Sequence, residues 1–149
     1  MPAETAQASG QGADPALLTH WLILGRVRLP GRPEHVGDAR RFVARKIGSQ
    51  HEQADVTVLL TSELVTNAVT HSRSRLAGGT VDVVVAARPA GLLITVTDDG
   101  SDGQFPAVRH DPGSEGGNGL LLVESLADAW GFADMAGRTT VWFRLNSGR

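Results

Sequence analysis

Cysteine is absent from the 149 residues, which removes disulfides, thiolate nucleophiles and cysteine-ligated zinc together. Lysine occurs once, at Lys46, so any mechanism that needs a placed lysine elsewhere is excluded. The apolar stretch ALLTHWLIL at 16–24 is far shorter than the ~20 residues that cross a bilayer. It reads as a segment packed on the domain or on a second copy of it. The first residues carry no basic region followed by an apolar stretch and a cleavage site, so no signal peptide is read and the expected location is the cytoplasm. An excess of positive charge is missing too: 14 Lys and Arg stand against 16 Asp and Glu, a net charge of −2. Coating nucleic acid through counterion release is therefore not the main task, and neither a nucleic-acid nor a membrane partner is expected.

What is present is a globular composition, 41% hydrophobic and 20% charged. A chain of this length makes one domain and buries roughly 70% of the surface its unfolded form exposes. Residues 1–15, small and polar with Gly and Pro, read as a disordered leader, and 16–149 as the single domain. Val27 and Leu29 alternate with Arg26 and Arg28 as in a half-exposed strand, which LPGRP ends. Val36, Ala39, Arg40, Phe42, Val43 and Ile47 then recur at helical spacing from Pro33 until Gly48. The run from Glu52 to Thr70 predicts a second, central helix with apolar contacts around most of its circumference. VDVVVAA and LLITVTD, joined by Arg88-Pro89-Ala90-Gly91, predict a hairpin of central strands. From Asp99 to Asn118 the chain is rich in Gly, Asp and Pro without periodicity, a length usually kept for a functional lid. Leu120, Leu122, Val123, Leu126, Ala127, Ala129 and Trp130 predict a third helix, and GFADM and TTVWFRL a closing hairpin.

Several chemistries fail on their spacing. No P-loop pattern occurs, Gly117-Asn118-Gly119 follows an irregular loop instead of a strand, and His51-Glu52 lacks the second histidine of a zinc-protease helix because position 55 is Asp55. The other histidines are scattered and read as surface or capping residues. Ser62, Ser72 and Ser74 sit in no nucleophile-elbow context.

Three polar features remain. Glu63 and Asn67 are four residues apart on the second helix, hence on one face and about 6 Å apart along its axis, with Thr66 and Thr70 in the same sector. Alone this suits an ordinary solvent face, although Val56, Leu59 and Leu60 flank it and imply that it meets something other than bulk water. Asp98-Asp99-Gly100 closes an apolar strand. It suits a simple turn, and equally a carboxylate accepting from a ligand amine beside a glycine that admits a flat ring. Gly116-Gly117-Asn118-Gly119 precedes Leu120, either as a flexible loop ending or as an open helix N-terminus that receives an anion.

In that order, LPGRPEHVGDARRFV (29–43), LLTSELVTNAVTHS (59–72), ITVTDDG (94–100), GGNGLLLVESLADAWGF (116–132) and RTTVWFRL (138–145) resemble the GHKL (Bergerat-fold) ATP-binding proteins. Within these they are similar to the small anti-sigma factor and serine-protein kinase group of the RsbW type. The resemblance covers nearly all of 26–145, and its asparagine and second glycine boxes are specific in combination.

The resemblance implies an α+β two-layer sandwich, its sheet mixed but largely antiparallel, with helices packed on one face. It implies ATP and Mg²⁺ as cofactors. Asn67 would hold the metal and Glu63 would be the general base. Asp98 would take the adenine amine, with Gly100 allowing close approach and Thr139 or Thr140 helping through a water. Gly117, Gly119 and Leu120 would offer backbone amides to the phosphates under a lid of residues 101–116. One departure stands out: where the family often reads D-x-G-x-G, Asp102 occupies the second glycine position and Gly103 follows. The implied activity is Mg²⁺·ATP-dependent binding of a sigma factor and phosphorylation of a serine or threonine on a small antagonist protein, often by a homodimer. A nucleotide-dependent binding module without phosphotransfer and a slow ATPase are the alternatives.

Charge fits these expectations unevenly. Asp98, Asp99, Asp102, Asp111 and Glu115 face only Arg109 in 98–115, so a bare triphosphate would be repelled. Mg²⁺, a helix N-terminus and Arg109 would have to neutralise it. Residues 26–46 hold seven cations against Glu34 and Asp38, a net +5, either a solvated face or a dock for an acidic protein.

Overall fold

The computed structural model describes residues 18–101 and 118–147. Among these residues five strands and three helices follow one another as β1 (Leu22–Pro30), α1 (Val36–Ile47), α2 (Ala54–His71), β2 (Thr80–Arg88), β3 (Gly91–Asp98), α3 (Asn118–Leu126), β4 (Ala129–Met135) and β5 (Arg138–Asn146). Short 3₁₀ turns at Pro33–His35 and Arg73–Arg75 lead into α1 and out of α2. The strands lie in the order β1-β2-β3-β5-β4. All four pairings are antiparallel, where a largely antiparallel sheet with some parallel pairing was expected. The reason is topological: β3 and β4 run the same way, but β5 comes between them and no parallel pair forms.

Alternation decides the two faces of this sheet. Val81, Val83 and Val85 of β2, Ile94 and Val96 of β3, Trp130 and Phe132 of β4, and Val141, Phe143 and Leu145 of β5 share one core with the helices. Onto it α1 places Val36, Ala39, Phe42 and Val43, and α2 places Leu60, Leu64, Val65, Ala68 and Val69. The expected two-layer arrangement with helices on one face is what forms. Buried Thr57 and Thr61 on α2 return their hydroxyls to the carbonyls four residues earlier, at 2.6 and 2.8 Å, which removes the penalty of an unpaired hydroxyl. Leu59 points outward and is 41% exposed, so α2 is less enveloped than its apolar sequence suggests.

The opposite face carries a second cluster, Ala86, Leu93, Ala129 and Trp142, against which Leu18 and Trp21 pack. The Arg88 guanidinium stacks over the Trp21 ring at 4.1 Å. Within the stretch 16–24, Leu18, Trp21 and Leu24 thus pack on the domain, while Leu22 and Ile23 at the start of β1 are exposed. Helix α1 stops where expected: Gly48 has φ +84° and its N–H reaches the Ala44 carbonyl. Helix α3 stops earlier than expected, at Leu126. Ala129 and Trp130, read above as helical, belong to β4, because the Asp128 N–H donates to the Arg144 carbonyl at 2.9 Å and draws the chain into the sheet. No helix among the described residues is long and apolar enough to cross a membrane.

Candidate functional site

Helix α2 exposes Glu63 and Asn67 on its half-buried flank, and neither side chain has a hydrogen-bond partner among the described residues. Against them stands the first turn of α3. A Cβ at Gly119 would lie 3.0 Å from Asn67 Nδ2 and 3.3 Å from Glu63 Oε1. Glycine lets α3 begin this close to both without displacing either side-chain end. Leu120 turns its side chain into the core, so what it can offer a ligand is its backbone N–H.

The second half of the site is the end of β3. Register pairs Asp98 with Thr139 and Thr97 with Thr140. Because Val96 and Val141 face the helices, Asp98 and Thr139 do so too. Thr140 points to the opposite face, where its hydroxyl shares a 2.8 Å hydrogen bond with Thr97. Of the two threonines named from sequence, the structure brings only Thr139 to Asp98. The Gly100 N–H donates to Asp98 Oδ1 at 2.7 Å, and Oδ2 has no partner among the described residues. Burial pushes the Asp98 carboxyl up to about 6 and Asp99 adds to the rise, while the Gly100 N–H, Arg138 and Arg73 oppose it.

Gly100 itself has φ +87°, and a Cβ there would stand 2.1 Å from the Gly137 carbonyl oxygen and 2.8 Å from Arg73 Nη2. The turn after β3 and the β4–β5 turn thus pack backbone to backbone. The Arg73 N–H donates to the Gly100 carbonyl at 2.7 Å, and Arg73 Nη2 to the Gly137 carbonyl at 3.1 Å. Arg73 lies just past the end of α2, so the helix that carries Glu63 and Asn67 one turn apart leads into the residue that anchors the Asp98 turn. Sequence reading named Asp99 as part of the Asp98-Asp99-Gly100 turn without giving it these contacts, and it gave no role to Arg73 or Arg138. Nothing in their spacing marks these contacts, since the partners come from segments distant along the chain.

Positions 102–117 lie outside the described residues, and with them the lid, Asp102, Arg109 and Gly117. The basic stretch 26–46 is divided by the fold: Arg26 and Arg28 leave β1 on the face opposite Val27 and Leu29, while Arg40, Arg41, Arg45 and Lys46 ride on α1. Arg28 pairs with Asp82, and Arg41 with Asp38, which also meets His35 Nδ1 at 2.7 Å.

Residues 29–145 match the histidine kinase-like ATPase domain. The chain belongs to that family. Three curated relatives, each named serine-protein kinase RsbW, align over 116 residues covering 68% of this chain and 72% of the relative. The protein of Bacillus subtilis strain 168 is 30% identical, that of Bacillus velezensis 31% and that of Bacillus licheniformis 32%. Membership in the histidine kinase-like ATPase family implies an ATP site, and the residues brought together here fit one. Asp98 keeps an open acceptor beside a glycine, and Gly119 leaves the α3 backbone uncovered next to Glu63 and Asn67. Among the described residues no group of three or more His, Asp or Glu converges. A Mg²⁺ at this site would therefore take the Asn67 amide oxygen together with phosphate and water oxygens, a mode common for this ion.

Proposed function

We propose that this protein is a Mg²⁺·ATP-dependent regulatory kinase that binds a sigma factor and phosphorylates a serine or threonine of a small antagonist protein. The observation that carries the reading is the seat of Gly119 against Glu63 and Asn67, which have no partner among the described residues, with the open Asp98 oxygen on the β3 end that the turn after the same helix anchors. The shared name of the RsbW relatives supports the acceptor class.

Each residue then has a separate task. Asp98 accepts from the adenine amine and Thr139 supports it through a water. The backbone N–H groups of Gly119 and Leu120, with Gly117 ahead of them, meet phosphate oxygens at the positive end of α3. Asn67 orients the metal, whose chemistry is to screen the phosphate charge. Glu63 takes the proton of the attacking hydroxyl.

The test is phosphotransfer from labelled ATP to candidate antagonist proteins by the parent and by Glu63→Ala. The variant is expected to bind ATP as well as the parent or slightly better, because a carboxylate makes no favourable contact with phosphates. Its transfer rate should fall about 10²- to 10⁴-fold. Equal rates would remove Glu63 from the role of base. A parent that binds ATP and a sigma factor but labels no antagonist would be a nucleotide-gated binding module instead.

A further inference from the structure

We propose that Arg138 and Asp99, backed by Asp82 and Arg28, are positioning residues that hold Asp98 in register for adenine from the face of the sheet opposite the nucleotide. The proposal rests on the adenine reading of Asp98 given above.

The geometry is a chain of contacts across four segments. Asp99 has its polar groups engaged: its N–H donates to Ser74 Oγ at 2.8 Å, Oδ2 accepts from the Thr80 N–H at 2.9 Å, and Oδ1 lies 3.4 Å from Arg138 Nε. Arg138 Nη1 then donates to Asp82 Oδ2 at 3.1 Å. Asp82 in turn receives Arg28 through a two-point contact, Nε to Oδ1 at 2.7 Å and Nη2 to Oδ2 at 3.0 Å. Strands β1, β2 and β5 are thereby tied to the turn that follows β3. An exposed ion pair does little for stability. Here only the outermost member, Arg28, is widely exposed, at 65%, while Asp82, Asp99 and Arg138 are exposed 24, 30 and 32%.

The division of labour between the adjacent carboxylates follows. Asp99 is saturated by the protein, and Asp98 receives one backbone N–H and keeps an oxygen open. A carboxylate that must meet an external donor gains from a backbone fixed by other groups, because its own contacts are then reserved for the ligand. Arg138 sits one residue before Thr139, the register partner of Asp98. The same guanidinium therefore fixes both strand ends that frame the adenine.

The groups that bear on the Asp98 charge are Asp99 in the turn, Arg138 from β5 and Arg73 after α2. Removing Arg138 and neutralising Asp99 must therefore move its titration in opposite directions.

The experiment measures ATP and GTP affinity by calorimetry across pH for Arg138→Gln, Arg138→Lys, Asp99→Asn and Asp98→Asn, with folding checked by thermal melting. Guanine offers a carbonyl where adenine offers the amine, so a well-placed Asp98 discriminates against it. Arg138→Gln should lose about 5- to 30-fold in ATP affinity with GTP affinity little changed, and its acidic limb of ATP binding should move to higher pH. Asp99→Asn should also lose ATP selectivity, but with the acidic limb at lower pH. Arg138→Lys should recover part of the loss, since it restores the charge without the two-point fork. If Arg138→Gln fails to fold, Arg138→Lys and Asp99→Asn carry the same comparison. Selectivity and limb within about twofold of the parent in these variants, while Asp98→Asn loses ATP, overturns the positioning role. If Asp98→Asn binds ATP like the parent, the adenine reading itself fails and takes the positioning role with it.

Discussion

Asp98 is caught between two demands. Partial burial at the paired ends of β3 and β5 favours its neutral form, and the carboxyl is raised from 3.8 to about 6. An adenine amine favours the charged one. The sign for folding follows from the raised value: Asp98 stabilises the ligand-free protein fully below pH 3.8, and that contribution is lost as pH rises through about 6. Nucleotide binding runs the other way. The thermal stabilisation conferred by saturating ATP is thus expected to be larger at pH 7.5 than at pH 5.5 by a melting assay, after allowance for the unliganded protein at each pH. Asp98→Asn should flatten that difference. It should also weaken ATP by about 10- to 150-fold, the worth of one charged hydrogen bond, as read by calorimetry. An unchanged affinity in the folded variant would detach Asp98 from the base.

At the scale of elements, the site depends on how closely α3 starts beside α2. Gly119→Val would drive methyl groups into Asn67 and Glu63, which already lie 3.0 and 3.3 Å from where a Cβ would be. We expect a stability loss of about 1–3 kcal/mol in urea unfolding, the usual range for overpacking, together with loss of most ATP affinity. Retained affinity would mean that the α3 amides are not used.

The elements themselves were legible wherever a single period governed a segment. Val36, Ala39, Phe42 and Val43 announced α1 and are its buried face. Val81, Val83 and Val85 announced β2. Legibility failed at 126–130, where Leu126, Ala127, Ala129 and Trp130 continue a helical spacing that the Asp128 to Arg144 backbone bond overrides. It failed again at the threonine pair. Two adjacent identical residues can be told apart only by the register of β5 on β3, a long-range fact. The contacts of Arg138 were invisible for the same reason, since its partners Asp82 and Asp99 come from other strands and turns.

At the scale of the whole molecule, both faces of the sheet are occupied, by different means. Three helices cover one, and on the other Leu18 and Trp21 close over Ala86, Leu93, Ala129 and Trp142. Trp21→Ala should remove that closure and the Arg88 stacking contact, lowering stability by about 1–3 kcal/mol in urea unfolding. Trp21 packs on the face opposite Glu63, Asn67 and Asp98, so ATP affinity should hold. A stable variant with weakened ATP binding would instead couple the two faces.

The antiparallel register of β5 on β3 also sets rules for re-engineering base preference. Sliding one strand by a single residue would exchange Thr139 for Thr140 and invert every buried side chain with it, so the pocket cannot be tuned by small shifts of the strands. It can change only by substitution, and only at alternate positions. On the adenine role proposed for Asp98, a library aimed at accepting a different purine belongs at 98 and 139 and at the residues two places inward, Val96 and Val141. The same diversity spent at 97 and 140 would be sampled on the face opposite the proposed adenine site.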